Sequence, residues 1–140
     1  RAISGSADLS DANLSRLNLK ELVVGDGYIK FKNANLSRAN LSASILSRSN
    51  FTGADLTGAK LHDSYLPDSN FTKANLTGAD LSETLFRASN FSGANLSGVN
   101  FTGADLTGAD LSGAKLKNAN IKDAKFCNTM TPWGLDNSGC

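Results

Sequence analysis

Long apolar runs are missing from this 140-residue chain, and with them any helix able to span a bilayer, which takes about 20 apolar residues. Insertion into a membrane is therefore not expected. The opening residues do not read as a signal peptide, although a mature chain that had lost one would read the same way. A charge excess is missing too: 14 basic residues face 13 acidic ones, for a net charge of +1. That balance argues against a broad basic field for nucleic acid, and equally against an acidic surface that imitates it.

Reactive side chains are just as sparse. Histidine occurs once, at His62, where no Ser-His-Asp arrangement takes shape around it. Gly25-Asp26-Gly27-Tyr28 matches neither a phosphate-binding loop nor a dinucleotide fingerprint. No Cys-X-X-Cys pair is present. The two cysteines, Cys127 and Cys140, permit one disulfide, and with it an oxidising compartment. The length allows one domain with a modest core. Neither catalysis nor a cofactor nor a metal is expected.

What the chain does contain is repetition. Let Ala-Asp-Leu-Thr-Gly at 54–58 be minus two, minus one, centre, plus one and plus two; apolar centres then recur every five residues. They run from Leu9 to Val24 and, after one break, from Phe31 to Phe126. Most minus-two residues are Ala, Ser or Thr, and most minus-one residues are Asn or Asp. A period of five fits neither the 3.6 of a helix nor the 2 of a strand, so the chain must turn once per pentad. Gly, Asn and Asp supply the backbone that tight corners need. The minus-two residue must be small because it shares a narrow interior with the large centre.

Identity recurs at twenty residues. Phe51, Phe71 and Phe91 align over Ser49, Ser69 and Ser89, while Leu36, Leu56, Leu76, Leu96 and Leu116 align over alanine. Four pentads per turn produce those columns, with turns stacked at strand spacing, about 4.8 Å.

These pentads resemble the A(D/N)LXX signature of the pentapeptide-repeat family over about residues 7–126. The resemblance implies an all-β fold, a right-handed quadrilateral β-helix. The segment "FCNTMTPWGLDNSGC" is similar to the tail of cyanobacterial members, in which a short helical cap closes the rod. Residues 1–126 are accordingly read as the β-helix and 127–140 as the cap, with Trp133 as an apolar lid over the last turn. Should Cys127 and Cys140 join, they would pin the cap, contributing about 3 kcal/mol by loop entropy.

Two departures from the pattern matter for function. Val24 and Phe31 lie seven residues apart instead of five, so two extra residues near 25–28 bulge from a corner, either as a tolerated insertion or as a recognition loop that presents Tyr28. If that loop is a simple bulge, one minus-one column reads Val23, Ile45, Tyr65 and Leu85 before turning polar at Asp105 and Lys125. Such an outward apolar stripe, bordered by Arg48, Pro67 and Arg87, has the character of an interaction surface. Lys115, Lys117, Lys122 and Lys125 cluster on the last turn and blunt an exposed end.

The expectation is a non-catalytic binding or scaffold protein, a monomer or weak dimer, that docks a protein partner and binds no nucleic acid. A DNA-mimicking topoisomerase-binding protein is the alternative, and the neutral charge disfavours it. The cysteine pair and the cyanobacterial resemblance point to the thylakoid lumen or periplasm, with the cytoplasm as the alternative.

Overall fold

A computed structural model describes residues 2–140. Its geometry begins with the corner. The centre carbonyl accepts the N–H of the residue three positions on, as Leu56 does from Ala59 at 2.9 Å. The plus-two residue between them is left-handed, with φ of 65° at Gly58. This is the pattern of a type II turn, in which glycine is favoured at the third position. The same conformation is held by Arg38, Ala43, Lys73 and Glu83, each at a cost of about 1 kcal/mol.

Asn and Asp fill the corner role expected of them at plus two, where Asn33, Asp63, Asp68 and Asn118 are left-handed with φ of 56–60°, and they take a second part at minus one. There the side chain accepts the plus-one N–H. Asp55 Oδ1 takes the N–H of Thr57 at 3.0 Å and its hydroxyl at 2.6 Å. This local Asx bond fixes the entry into the turn.

Successive turns pair in parallel at minus one, as in Asn50↔Asn70, Asn70↔Asn90 and Asn90↔Asp110. The twenty-residue offset means four pentads per turn, and the ladder closes the chain into a β-helix. Two short pairs start it: β1 (Ala2–Ile3) on β3 (Val23–Val24), and β2 (Ala7–Asp8) on β4 (Ile29–Lys30). The β1–β3 partners are 21 residues apart; from Ala7 to Val23 the partners across the insertion are 22 apart, as in Asn13↔Asn35 and Val23↔Ile45, and after it they are 20 apart. One corner therefore absorbs both extra residues. Gly27 is pressed onto the chain before it, where a Cβ would lie 2.0 Å from the Gly5 carbonyl oxygen, so no larger residue fits there.

The centres fill the interior, and Phe31, Phe51, Phe71 and Phe91 stack with ring centroids 4.6–4.8 Å apart. The neighbouring Phe86 meets Phe91 edge-on at 5.0 Å. Two of the minus-two columns are mostly alanine, while the other two carry Ser and Thr, which do more than save space. Thr84 Oγ1 donates to Leu61 O at 2.6 Å and accepts the Ser64 N–H at 3.4 Å. It thereby bridges an open turn one level away. Ser64 does the same for Leu41 and Ser44, and Ser89 for Leu66 and Ser69. Ser89 itself is aligned with Ala109, which has no hydroxyl to lend, and its own turn closes directly on Phe86 O at 3.0 Å.

The tail corrects the sequence reading. It contains no helix: β5 (Thr129–Thr131) and β6 (Gly134–Asp136) form an antiparallel hairpin. The ladder runs on into it through Asp110↔Met130. Trp133, at the hairpin tip, is 59% exposed, with its ring tilted against Phe126 at 6.5 Å between centroids. It does not form a lid, and Ile121 in the last turn remains exposed.

The hydroxyl bridges make a testable claim. Thr84→Val keeps the shape but leaves Leu61 C=O and Ser64 N–H without their bridge, so urea denaturation should show a loss of about 1–3 kcal/mol. Thr84→Ser should retain most of the stability.

Candidate functional site

Minus-one side chains face outward, and in three columns they are chiefly Asn and Asp engaged in Asx bonds. The fourth column breaks this rule. Val23, Ile45, Tyr65 and Leu85 follow one another through the bridges Val23↔Ile45, Ile45↔Tyr65 and Tyr65↔Leu85, as the sequence arithmetic requires. Ile45 is 42% exposed, Tyr65 45% and Leu85 37%. None of them can accept the plus-one N–H, so Ile45 and Leu85 forgo a bond that an Asn or Asp would make. At the Tyr65 level the plus-one residue is Pro67, which has no N–H to satisfy.

The stripe ends at Asp105, whose side chain is only 10% exposed. It restores the Asx bond with Thr107 at 3.0 Å and binds Arg87 Nε at 2.7 Å. Burial pushes the Asp105 carboxyl up, but the hydrogen bonds from Thr107 and Arg87 outweigh it and hold the group below the usual aspartate range. Arg87 therefore lies folded against the end of the stripe. Arg48, the other basic neighbour expected there, reaches Asp26 O with Nη2 at 3.4 Å.

Tyr28 is exposed but lies beyond the corner that holds the insertion, and it takes no part in the stacked column. Its N–H donates to Ser6 Oγ at 3.2 Å. His62 Nδ1 lies 3.1 Å from Asp63 Oδ2 on the surface. Among the described residues no cluster of three or more potential metal ligands occurs, and no pocket is found. No helix there is long and apolar enough to cross a membrane. Cys127 and Cys140 are joined, with Cα atoms 4.8 Å apart, which ties the end of the hairpin segment to the last turn.

One feature of this surface escaped the sequence reading. The corner leading into the stripe carries Glu21, Ala43, Asp63, Glu83, Gly103 and Asp123 at successive plus-two positions. They are aligned by bonds such as Glu21 N to Ser42 O and Asp63 N to Ser82 O. Glu21, Asp63 and Glu83 thus mark one edge of the apolar column, and Asp123 lies on the same edge two levels beyond Leu85. Tabulating plus-two residues by column would have revealed them.

Asp105→Asn keeps the Asx bond through Oδ1 but puts an NH2 where Oδ2 accepts from Arg87 Nε, so the charge and that hydrogen bond are lost together. Because the folded carboxyl is depressed, its stabilisation is present at neutral pH and is lost as pH falls below the ordinary aspartate value of about 3.9. With Arg87 mostly solvated, the variant should lose up to about 1 kcal/mol at pH 7. Denaturation curves of the two proteins should converge in acid.

Comparison with known proteins follows the repeat. A family model described as a pentapeptide repeat region matches residues 28–101 and 44–129. Among solved structures the chain is similar to a pentapeptide repeat protein from the Arabidopsis thaliana thylakoid lumen. The two are 39% identical with a TM-score of 0.64, over 66% of this chain and 64% of that one. A pentapeptide repeat protein from the cyanobacterium Cyanothece 51142 is 32% identical with a TM-score of 0.56, over 64% of this chain and 58% of that one. The chain thus spans less than two thirds of either relative. The plasmid-mediated fluoroquinolone resistance protein QnrB1 shares the fold alone, at 15% identity and a TM-score of 0.50 over 99% of this chain and 92% of that one. No curated protein matches the sequence.

Proposed function

The chain belongs to the pentapeptide-repeat family, and on that premise we propose that it is a non-catalytic binding or scaffold protein that docks a protein partner on its outer wall. The observation that carries this reading is the exposed column of Ile45, Tyr65 and Leu85. Ile45 and Leu85 give up a local hydrogen bond to display apolar surface, which works against the fold at those positions, and Tyr65 between them is exposed as well. An apolar column on three consecutive levels is accounted for by a partner that covers it. Four pentads per turn and the family resemblance support a right-handed, four-sided helix, which would present the column on a flat side. Val23, Arg48, Arg87 and Tyr28 border the surface or flank its start.

The reading extends to the setting. The Cys127–Cys140 bond is at home in an oxidising compartment, and the similar plant protein comes from the thylakoid lumen. We therefore place this chain in the lumen or periplasm, acting as a monomer or weak dimer.

An affinity pull-down from the native source tests the proposal by comparing the wild type with Tyr65→Asn/Leu85→Asn. The wild type should capture a protein that the double variant loses, with both baits equally folded by circular dichroism. Capture of the same proteins by both baits would contradict it.

A further inference from the structure

The stripe's backbone cannot take part in recognition. The N–H groups of Ile45, Tyr65 and Leu85 donate to Leu22, Ser44 and Ser64, and their carbonyls accept from Val24, Leu46 and Leu66. Every ladder group on these levels is spent along the rod axis, so a partner strand cannot be added by main-chain pairing. Side chains alone must read the partner, and their spacing selects its conformation. The levels repeat at about 4.8 Å. A helix laid along the rod presents one turn every 5.4 Å or so, and drifts by only about 1.2 Å over two intervals. An extended segment repeats its same-side residues at about 6.7 Å and drifts by nearly 4 Å.

The two edges of the stripe differ in charge. On one side, Arg87 is held by Asp105 and Arg48 leans toward the Asp26 carbonyl, so the basic groups are engaged within the molecule. On the other side lie Glu21, Asp63, Glu83 and Asp123. Among the described residues, Glu21, Glu83 and Asp123 make no ion pair, and Asp63 meets only His62. Glu83 folds toward the next level over Gly103, where a Cβ would lie 2.3 Å from its Oε1. Bare Gly103 thus makes room for the carboxylate and extends the acidic edge along the column.

Resting on the partner-docking reading above, we infer that the stripe takes an amphipathic helix aligned with the rod, whose apolar face covers Ile45, Tyr65 and Leu85 and whose one flank carries Lys or Arg against Asp63 and Glu83. The charged edge sets the orientation and the partner's sign; the apolar column supplies the contact.

Fluorescence anisotropy with synthetic peptides tests this directly. The probes are an amphipathic helical peptide with leucines along one face and lysines along one flank, the same peptide with glutamates for lysines, and the lysine peptide broken by a central proline. The wild type should bind the lysine helix at least about tenfold more tightly than either of the others. Asp63→Lys/Glu83→Lys should reverse the preference between lysine and glutamate, and Tyr65→Asn/Leu85→Asn should lose all three. Equal affinity for the lysine and glutamate peptides, no binding at all, or binding of the proline-broken peptide as tight as that of the helix would overturn the inference. So would sedimentation showing that the stripe holds a second copy of the chain. If the pull-down yields a stripe-dependent partner while the peptides show no preference, the docking reading stands and the basic helix falls.

Discussion

Everything in this molecule depends on turning the chain through one corner in every five residues. The corner requires a left-handed residue at plus two, and the non-glycine examples show that it is enforced even where the side chain opposes it. What enforces it is stacking: each corner donates to the corresponding corner of an adjacent level, as Gly53 N does to Thr72 O and Lys73 N to Ser92 O. A single strained corner costs about 1 kcal/mol, but it cannot relax without breaking the ladder on both sides. Repetition thus turns a local penalty into a rigid wall. This is the nearest-neighbour logic of solenoid proteins.

Within that wall the outward positions divide into those that serve the turn and those that do not. Asn and Asp at minus one serve it through Asx bonds, and Asp105 adds a partner in Arg87. Ile45, Tyr65 and Leu85 do not serve it. The interior divides in the same way, since alanine only fills space whereas Ser64, Thr84 and Ser89 complete turns on another level. The stripe is the part of the surface that the architecture leaves free.

Much of this was legible in the sequence because a fixed period turns position into geometry. The column of Phe51, Phe71 and Phe91 and the register of Val23 over Ile45 across the insertion both follow from counting. The hydroxyl bridges were not legible, because serine at a cramped position is explained equally well by its size. The tail failed for another reason. Beyond Phe126 the pentad signature lapses, so nothing local distinguished a hairpin from a helix, and Trp133 had no periodic neighbour to place it. The acidic edge was hidden by distance, its members lying 20 or more residues apart at positions otherwise explained by the turn.

The claim on which the functional reading stands is that the apolar column is not required for folding. Urea denaturation of Leu85→Asn measures this most directly, because asparagine there can accept the Arg87 N–H as its counterparts do elsewhere. The account predicts stability equal to the wild type or a few tenths of a kcal/mol higher, the scale of an exposed local hydrogen bond. A loss of about 2–5 kcal/mol, the scale of removing a buried leucine, would show that the column belongs to the core and contradict the account.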